Sequence, residues 1–218
     1  MAKIYQVFIG CPFTKDIRRP YDRLKKEVET ETPLAIVLAD TIGVSSSDYL
    51  LEHITGVIRD SAGCIFDATG GNPNVSLEVG IAHTVPVDFI LALKTRKPRL
   101  VPEGLTEVRS IISDLQGKNR IEYKSYDSLK EQLMKRYLCN FPYMNRWLQF
   151  QRENSSMAPY VLKLFTDLRS SGRSTSARLT AILEGTGFKV GDVTKALVKA
   201  KLIHVKEGRT GGYFYATK

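Results

Sequence analysis

Short apolar runs alternate with amphipathic segments along the first 140 residues of the chain. Five apolar or alternating runs predict β-strands, the last of them weak: residues 3–9, 34–39, 63–67, 87–93 and 119–123. Between these runs, apolar residues recur every three or four positions, which predicts helices with one apolar face. Alternation of strands and helices is typical of a parallel sheet with helices on both faces. The pattern therefore predicts an α/β fold with a doubly wound parallel sheet.

The pattern changes after residue 140. Residues 141–156 mix aromatic, Arg and polar residues, which indicates either a linker or a helix lying between two domains. Residues 157–218 predict three short helices followed by two strands that a glycine-containing turn joins, an order that resembles a winged helix. We therefore predict a larger domain over residues 1–140, a linker over 141–156 and a small winged helix-turn-helix domain over 157–218.

Positive charge is concentrated in the C-terminal part. The net charge is +9, and residues 151–218 hold 12 of the 32 Lys and Arg but 5 of the 23 Asp and Glu, so this part carries +7. A basic small domain is typical of nucleic-acid binding, with solvated charge as the alternative. The residues that match the basic positions of a winged helix, on its third helix and wing, are Lys189, Lys195, Lys199, Lys201, Lys206 and Arg209.

In the winged-helix family the third helix enters the major groove and the wing touches the backbone or minor groove. Lys and Arg at those positions would contact the phosphates of DNA or RNA. Such contacts contribute more to affinity than to sequence specificity. The alternative is a winged helix that makes only protein contacts.

The stretch over residues 63–84 holds the candidate chemistry. It predicts a buried strand ending at Asp67, a loop containing Gly70 and Gly71, and a helix with Asn72 as its N-cap. In open parallel sheets, ligands bind outside the carboxyl ends of the strands, so this loop predicts part of a ligand site. The backbone N–H groups of the glycine pair would cradle a phosphate there, or the pair forms a plain turn.

Glu78 is the one acid in the otherwise apolar helix that follows. It lies early enough in the helix to face the crevice, where burial raises the pKa of a carboxyl group and the helix dipole lowers it. A carboxylate in that place suits nucleophilic or ion-pair work on a glycosidic carbon. An ion pair between Glu78 and a neighbouring Lys or Arg is the alternative.

Residues 65–83, IFDATGGNPNVSLEVGIAH, resemble the core motif of the nucleoside 2-deoxyribosyltransferase-like proteins. They are also similar to the related Toll/interleukin-receptor-like (TIR-like) nucleotide-binding domains of bacteria. The turn FIGCPF, residues 8–13, is a supporting match, and the resemblance covers roughly residues 3–140. It implies a flavodoxin-like sheet and cleavage of an N-glycosidic bond, in which Glu78 attacks or stabilises C1 of the ribosyl group.

The same resemblance implies further substrate-binding positions. In the family, the turn after the first strand lies beside the substrate, and the strand-end acid lies at its rim. The predicted substrate-binding residues are Phe8, Gly10, Pro12, Phe13, Asp67, Gly70, Gly71, Asn72 and Asn74.

Asn72 departs from the family pattern. It stands six residues before Glu78, where transferases of this family often carry a second acid. An amide can hold a ribose hydroxyl, but it cannot transfer a proton as an acid does. Asp48, Glu52 and His53 are candidates for the missing group. The departure argues against ordinary deoxyribosyl transfer and leaves nucleosidase action on a nucleotide or dinucleotide, or ligand binding without turnover.

The rest of the composition narrows the setting. Cys11, Cys64 and Cys139 show no metal-binding spacing, so we expect no metal ion and a reducing cytoplasm. Cys11 lies beside the predicted crevice, either as a reactive thiol or as a small buried residue. No apolar run of about 18 residues and no signal peptide is present, so we expect a cytoplasmic protein without membrane contact. We expect no cofactor, and a homo-oligomer is left open.

The leading hypothesis is an N-glycosidase-type enzyme that cleaves the base–ribose bond of a nucleoside, nucleotide or NAD and is coupled to nucleic-acid binding. The order of the two domains resembles effectors of bacterial anti-phage systems, such as retron-associated effectors. The alternative is a non-catalytic, nucleotide-sensing transcription regulator, which the amide at Asn72 favours.

Overall fold

The computed structural model describes residues 3–41, 49–95, 120–208 and 211–217. A helix predicted over residues 103–116 lies outside these ranges, as do Asp48 and Arg209.

Five parallel strands form the central sheet: β1 (Lys3–Gly10), β2 (Ala35–Leu38), β3 (Ser61–Asp67), β4 (Asp88–Lys94) and β5 (Arg120–Tyr123). Their order is β2-β1-β3-β4-β5, and every neighbouring pair is parallel. The chain leaves β1 toward β2 on one side and then continues with β3 on the other. This is a flavodoxin-like sheet, which confirms the predicted fold class. Its topological switch point, where ligands bind in such sheets, lies at the carboxyl ends of β1 and β3.

Helices cover both faces of the sheet: α1 (Lys15–Glu31), α2 (Leu50–Asp60), α3 (Pro73–Thr84) and α4 (Tyr126–Arg136). Apolar side chains of α1 and α4 pack with one face of the sheet. Those of α2 and α3 pack with the other face, where Phe8 and Phe66 lie. Burial on both faces explains why the strands read as near-continuous apolar runs.

Pro20 lies inside α1 rather than at its start. Proline favours the first helical turn, which would begin the helix at Pro20, yet the helix begins at Lys15. Proline has no N–H for the carbonyl of Asp16, four residues earlier. The Lys94 ammonium donates to that carbonyl oxygen instead, at 2.9 Å. A long-range hydrogen bond thus satisfies the acceptor that Pro20 leaves open.

Residues 141–156 contain a helix, the second of the two alternatives that the sequence left open. This helix, α5 (Pro142–Glu153), follows a short 3-10 turn over Leu138–Asn140. Trp147 is fully buried and stacks on Phe150, with ring centroids 5.6 Å apart. Buried residues of α5 join the apolar core on the α1 and α4 face to that of the C-terminal helices.

The C-terminal part has the three helices and the hairpin that the sequence predicts. Its elements are α6 (Ala158–Ser171), β6 (Ser174–Thr175), α7 (Ser176–Leu183), α8 (Val190–Lys199), β7 (Ile203–Gly208) and β8 (Gly211–Ala216). The three strands form an antiparallel sheet in the order β6-β8-β7. Thr175, one of the two residues at which the sequence allows a cap with Ser174, caps α7, since its hydroxyl accepts from the N–H of Arg178. The two-residue β6 is too short to leave a sequence pattern, and the winged-helix assignment stays a prediction.

Polar contacts also hold the C-terminal part against the sheet domain. The Arg169 guanidinium on α6 donates to the carbonyl oxygens of Glu29, Thr32 and Leu34, at 2.7, 3.4 and 3.3 Å. These carbonyls lie at and just beyond the C-terminus of α1, where helix hydrogen bonds run out and a cation is favoured. The Tyr143 hydroxyl on α5 donates to the carbonyl of Leu202, at 2.7 Å.

Candidate active site

A pocket of about 460 Å³ lies between α2 and α3, beyond the carboxyl end of β1. This volume is in the range of small-molecule sites, and the position agrees with the switch point of the sheet. Its wall is mostly apolar. The described lining residues are Phe13, Ala39, Asp40, Leu50, Leu51, Ile54, Asn74, Leu77, Glu78 and Ile81.

Glu78 is the buried acid of this pocket. Its residue is 6% exposed. Its Oε2 atom has no hydrogen-bond partner among the residues that the structure describes, and none of the described cations forms an ion pair with it. Burial raises the pKa of the Glu78 carboxyl to about 7, because desolvation disfavours the charged form. The described residues therefore show no ion pair of Glu78 with a Lys or Arg, and Oε2 stays without a described partner.

Gly10 provides the space that the Glu78 carboxylate occupies. A Cβ atom added at Gly10 would lie 1.9 Å from Glu78 Oε2 and 2.9 Å from Phe66 Cδ1. Glycine is therefore the residue type that lets the acid rest on the end of β1. The substrate contact predicted for Gly10 stays a prediction, whereas its steric role follows from the geometry.

Asp67 lies inside the fold rather than at a substrate rim. It is fully buried, and its carboxylate accepts from the Tyr21 hydroxyl at 3.0 Å, the Tyr123 hydroxyl at 2.5 Å and the Thr69 N–H at 2.9 Å. Desolvation, followed by the charge of Asp67, raises the pKa of Tyr123, so this phenol remains a donor. Asp67 thus anchors the start of the loop between β3 and α3, which corrects its predicted place at the rim.

Phe8 and Phe13, predicted together, lie in different places. Phe8 is fully buried in the core under α2 and α3, with its ring centroid 5.9 Å from that of Phe66. Pro12 is also buried. Phe13 is 56% exposed and lines the pocket. Of the two phenylalanines, Phe13 is therefore the one whose side chain lies in the pocket wall.

The loop before α3 uses its polar residues mainly to start the helix. Gly70 and Gly71 have φ of +76° and +62°, which side-chain-bearing residues rarely adopt. The Asn72 side-chain oxygen accepts from the N–H groups of Asn74 and Val75, at 2.9 and 3.3 Å, so the predicted N-cap is confirmed. Asn74 is exposed and lines the pocket.

Asp40 is a second acid at the pocket, and the site prediction missed it. It follows β2 in a 3-10 turn over Ala39–Thr41. Arg18 on α1 donates two hydrogen bonds to the Asp40 carboxylate, from Nε at 2.8 Å and from Nη2 at 2.9 Å. Glu52 and His53, the described candidates for the missing acid, are exposed on α2 and do not line the pocket. A carboxylate after a strand adjacent to β1 is the signal that would have indicated Asp40.

Cys11 is 5% exposed, and burial raises the pKa of its thiol to about 12. The thiol therefore stays protonated near neutral pH, which argues against a reactive cysteine.

No family model matches the sequence, and no curated protein matches it. Among solved structures, the chain is similar to a 2-desoxiribosyltransferase from Leishmania mexicana. The two are 11% identical with a TM-score of 0.46, and the match covers 61% of this chain and 99% of that chain. With so few identical residues, the fold assignment rests on the strand order, and the candidate site rests on the surroundings of Glu78.

The described residues contain no cluster of three or more His, Cys, Asp and Glu side chains that could hold a metal ion. None of the described helices is long and apolar enough to cross a membrane.

Five of the six predicted nucleic-acid contacts lie within the described residues, on the surface of the C-terminal part. Lys189 precedes α8, Lys195 and Lys199 lie on it, Lys201 follows it, and Lys206 lies on β7; all five are exposed. Their role in phosphate contact stays a prediction.

The raised pKa of Glu78 predicts a pH-dependent stability. An acid that ionises at an ordinary pKa of 4.5 when unfolded but at about 7 when folded favours the native state at low pH. Its contribution is fully present below pH 4.5 and is lost as the pH rises to about 7, a change of about 3 kcal/mol. We expect the free energy of unfolding to fall over this window in the parent, and this decline to be absent in Glu78→Gln. Urea unfolding at a series of pH values measures the free energy of unfolding of both proteins. If this free energy changed with pH equally in the parent and in Glu78→Gln, the burial of an ionisable Glu78 would be contradicted.

Proposed function

We propose that this chain is an N-glycosidase-type enzyme that cleaves the base–ribose bond of a nucleoside, nucleotide or NAD. The observation that carries the proposal is Glu78: a buried acid without a described partner for Oε2, in the wall of a pocket at the switch point of the sheet. A buried acid left unpaired costs stability, so its retention suits a role toward a ligand.

In this proposal the ionised Glu78 attacks C1 of the ribosyl group. The C1–N bond breaks and its electron pair stays on the base nitrogen. The base of a nucleoside or nucleotide then takes a proton from water, whereas nicotinamide leaves NAD already neutral. Water then hydrolyses the ester at C1, which releases the sugar and restores the carboxylate. The apolar wall formed by Phe13, Leu50 and Leu77 would hold the base and limit competing water.

The charge of the pocket bears on the choice of substrate. The described lining residues include two acids, Glu78 and Asp40, and no Lys, Arg or His. Arg18 forms an ion pair with Asp40, so the described part of the wall offers no unpaired cation to a phosphate group. A nucleoside therefore fits the described wall better than a nucleotide or NAD.

We also propose that the C-terminal part contacts nucleic acid. The excess of +7 over residues 151–218 and the five exposed lysines around α8 and β7 support this. The order of a glycosidase-like domain and a basic domain motivates the further idea of an anti-phage effector whose activity a nucleic acid controls.

The test is to incubate the full chain with a panel of nucleosides, nucleotides and NAD and to separate the products by chromatography. We expect free base from one class of substrate, most readily the nucleosides. Calorimetric binding of a panel member without any free base would instead support the alternative, a non-catalytic nucleotide-sensing regulator.

A further inference from the structure

One face of the C-terminal sheet carries aromatic and cationic side chains in cross-strand pairs. His204 of β7 lies opposite Tyr215 of β8, and Lys206 lies opposite Tyr213. Phe214, which lies between the two tyrosines, and Ile203, which precedes His204, are buried in the core, while Val205, between His204 and Lys206, is 39% exposed. Because side chains alternate along a strand, the four paired side chains share the face opposite to Phe214. We call these four residues, together with Arg173, the wing face.

The rings and cations of the wing face contact one another. The His204 and Tyr215 rings are stacked, with centroids 5.2 Å apart and an interplanar angle of 15°. The Lys206 Nζ atom lies 5.5 Å from the Tyr215 ring centroid. The Arg173 Cζ atom, just before β6, lies 5.1 Å from the Tyr213 ring centroid. The face thus presents flat rings and a flat guanidinium group next to an exposed ammonium group.

The charge of the wing face has one sign. Its two charged side chains, Arg173 and Lys206, are both basic. Glu207, the acid of β7, is one position away and therefore belongs to the opposite side of the strand. A polyanion is complementary to such a face, and flat rings add a preference for a partner with exposed aromatic surfaces.

We propose that the wing face binds single-stranded nucleic acid, with bases stacked on the His204–Tyr215 pair and on Arg173, and with Lys206 contacting phosphate. A single strand exposes the faces of its bases, whereas a duplex stacks them on one another, so a stacking platform selects the single strand. By contrast, the exposed residues of α8 include Asp192 and Val198 besides its lysines, which suits a phosphate-rich major groove less well. The proposal rests on the nucleic-acid contact of the proposed function and specifies its partner.

The test measures binding of the full chain to fluorescent 12-nucleotide oligo(dT), 12-nucleotide oligo(U) and a mixed-sequence duplex, by anisotropy at several salt concentrations. We expect both single strands, or one of them, to bind at least about tenfold tighter than the duplex. The comparison of oligo(dT) with oligo(U) tells DNA from RNA.

Two variants at one position separate stacking from folding. Tyr215→Val removes the ring but keeps a good strand former, and we expect single-strand binding about fivefold to a hundredfold weaker with an unchanged salt slope. Tyr215→Phe keeps the ring and should bind as the parent does. Lys206→Gln should instead lower the slope of log affinity against log salt by about 0.7, the share of one phosphate on a single strand. Circular dichroism checks that each variant is folded. If Tyr215→Val is unfolded, the salt slope of Lys206→Gln and the preference of the parent for single strands over the duplex still test the proposal.

The outcomes distinguish the two levels of the proposal. Tight duplex binding that is lost in a Lys195→Gln, Lys199→Gln double variant but kept in Tyr215→Val would overturn the wing face and leave the proposed nucleic-acid contact standing. Binding to none of the three probes would overturn both. Neither result touches the glycosidase proposal, which base release tests separately.

Discussion

We expect Glu78→Gln to lower the turnover number for base release at least about a thousandfold while the protein stays folded. The amide has nearly the same shape and fits the space above Gly10, but it neither attacks C1 nor stabilises positive charge on the sugar. Stability should not suffer, because burial already disfavours the ionised carboxylate. Chromatographic assay of free base, with urea unfolding alongside, measures both effects.

Glu52→Gln is the matched control, since Glu52 is an exposed acid on α2 outside the pocket wall. It should release base at the parental rate. The parent should also lose activity by about tenfold per pH unit below a kcat/KM pKa near 7, since the attacking form is ionised. If Glu78→Gln released base at the rate of the parent, the proposed mechanism would be wrong.

Gly10→Ala should lower the turnover number about a hundredfold. Its loss of stability should be much smaller than that of a substitution that opens a cavity in the core. The new Cβ would lie 1.9 Å from Glu78 Oε2, so the carboxylate has to leave its place. The carboxylate is the flexible end of a side chain, so it can move aside at a small cost in stability, but its new position would no longer suit attack on C1. The 2.9 Å approach of the new Cβ to Phe66 Cδ1 adds a moderate strain. Steady-state kinetics and urea unfolding together separate the two effects.

Gly80→Ala is the control on α3, two residues from Glu78. A Cβ at this exposed helical position meets nothing within 4 Å, so alanine should keep the activity and add about 0.5–1 kcal/mol of stability. In a Glu78→Gln background, Gly10→Ala should cause no further loss of rate, because both changes act on one carboxylate. A Gly10→Ala variant with parental turnover would show that the place of Glu78 above β1 does not matter.

The different places of Asp67 and Asp40 could not be predicted from the sequence. Both acids end a strand next to β1, and sequence position alone does not rank them. The structure buries Asp67 among two tyrosines and places Asp40 at the pocket with Arg18. The difference comes from Tyr21 and Tyr123, which are 46 and 56 residues away from Asp67.

The parallel α/β pattern, the N-cap of α3 at Asn72 and the position of Glu78 in an apolar helix could all be predicted from short stretches of the sequence. These features are local, because strand runs, caps and helix periodicity depend on residues close together in the chain. Three features became visible in the folded chain: Oε2 of Glu78 lacks a described partner, Gly10 makes room for it, and α5 joins the core under α1 and α4 to that of the C-terminal helices. Burial and hydrogen-bond partners come from segments distant in sequence, and periodicity does not encode which segments meet.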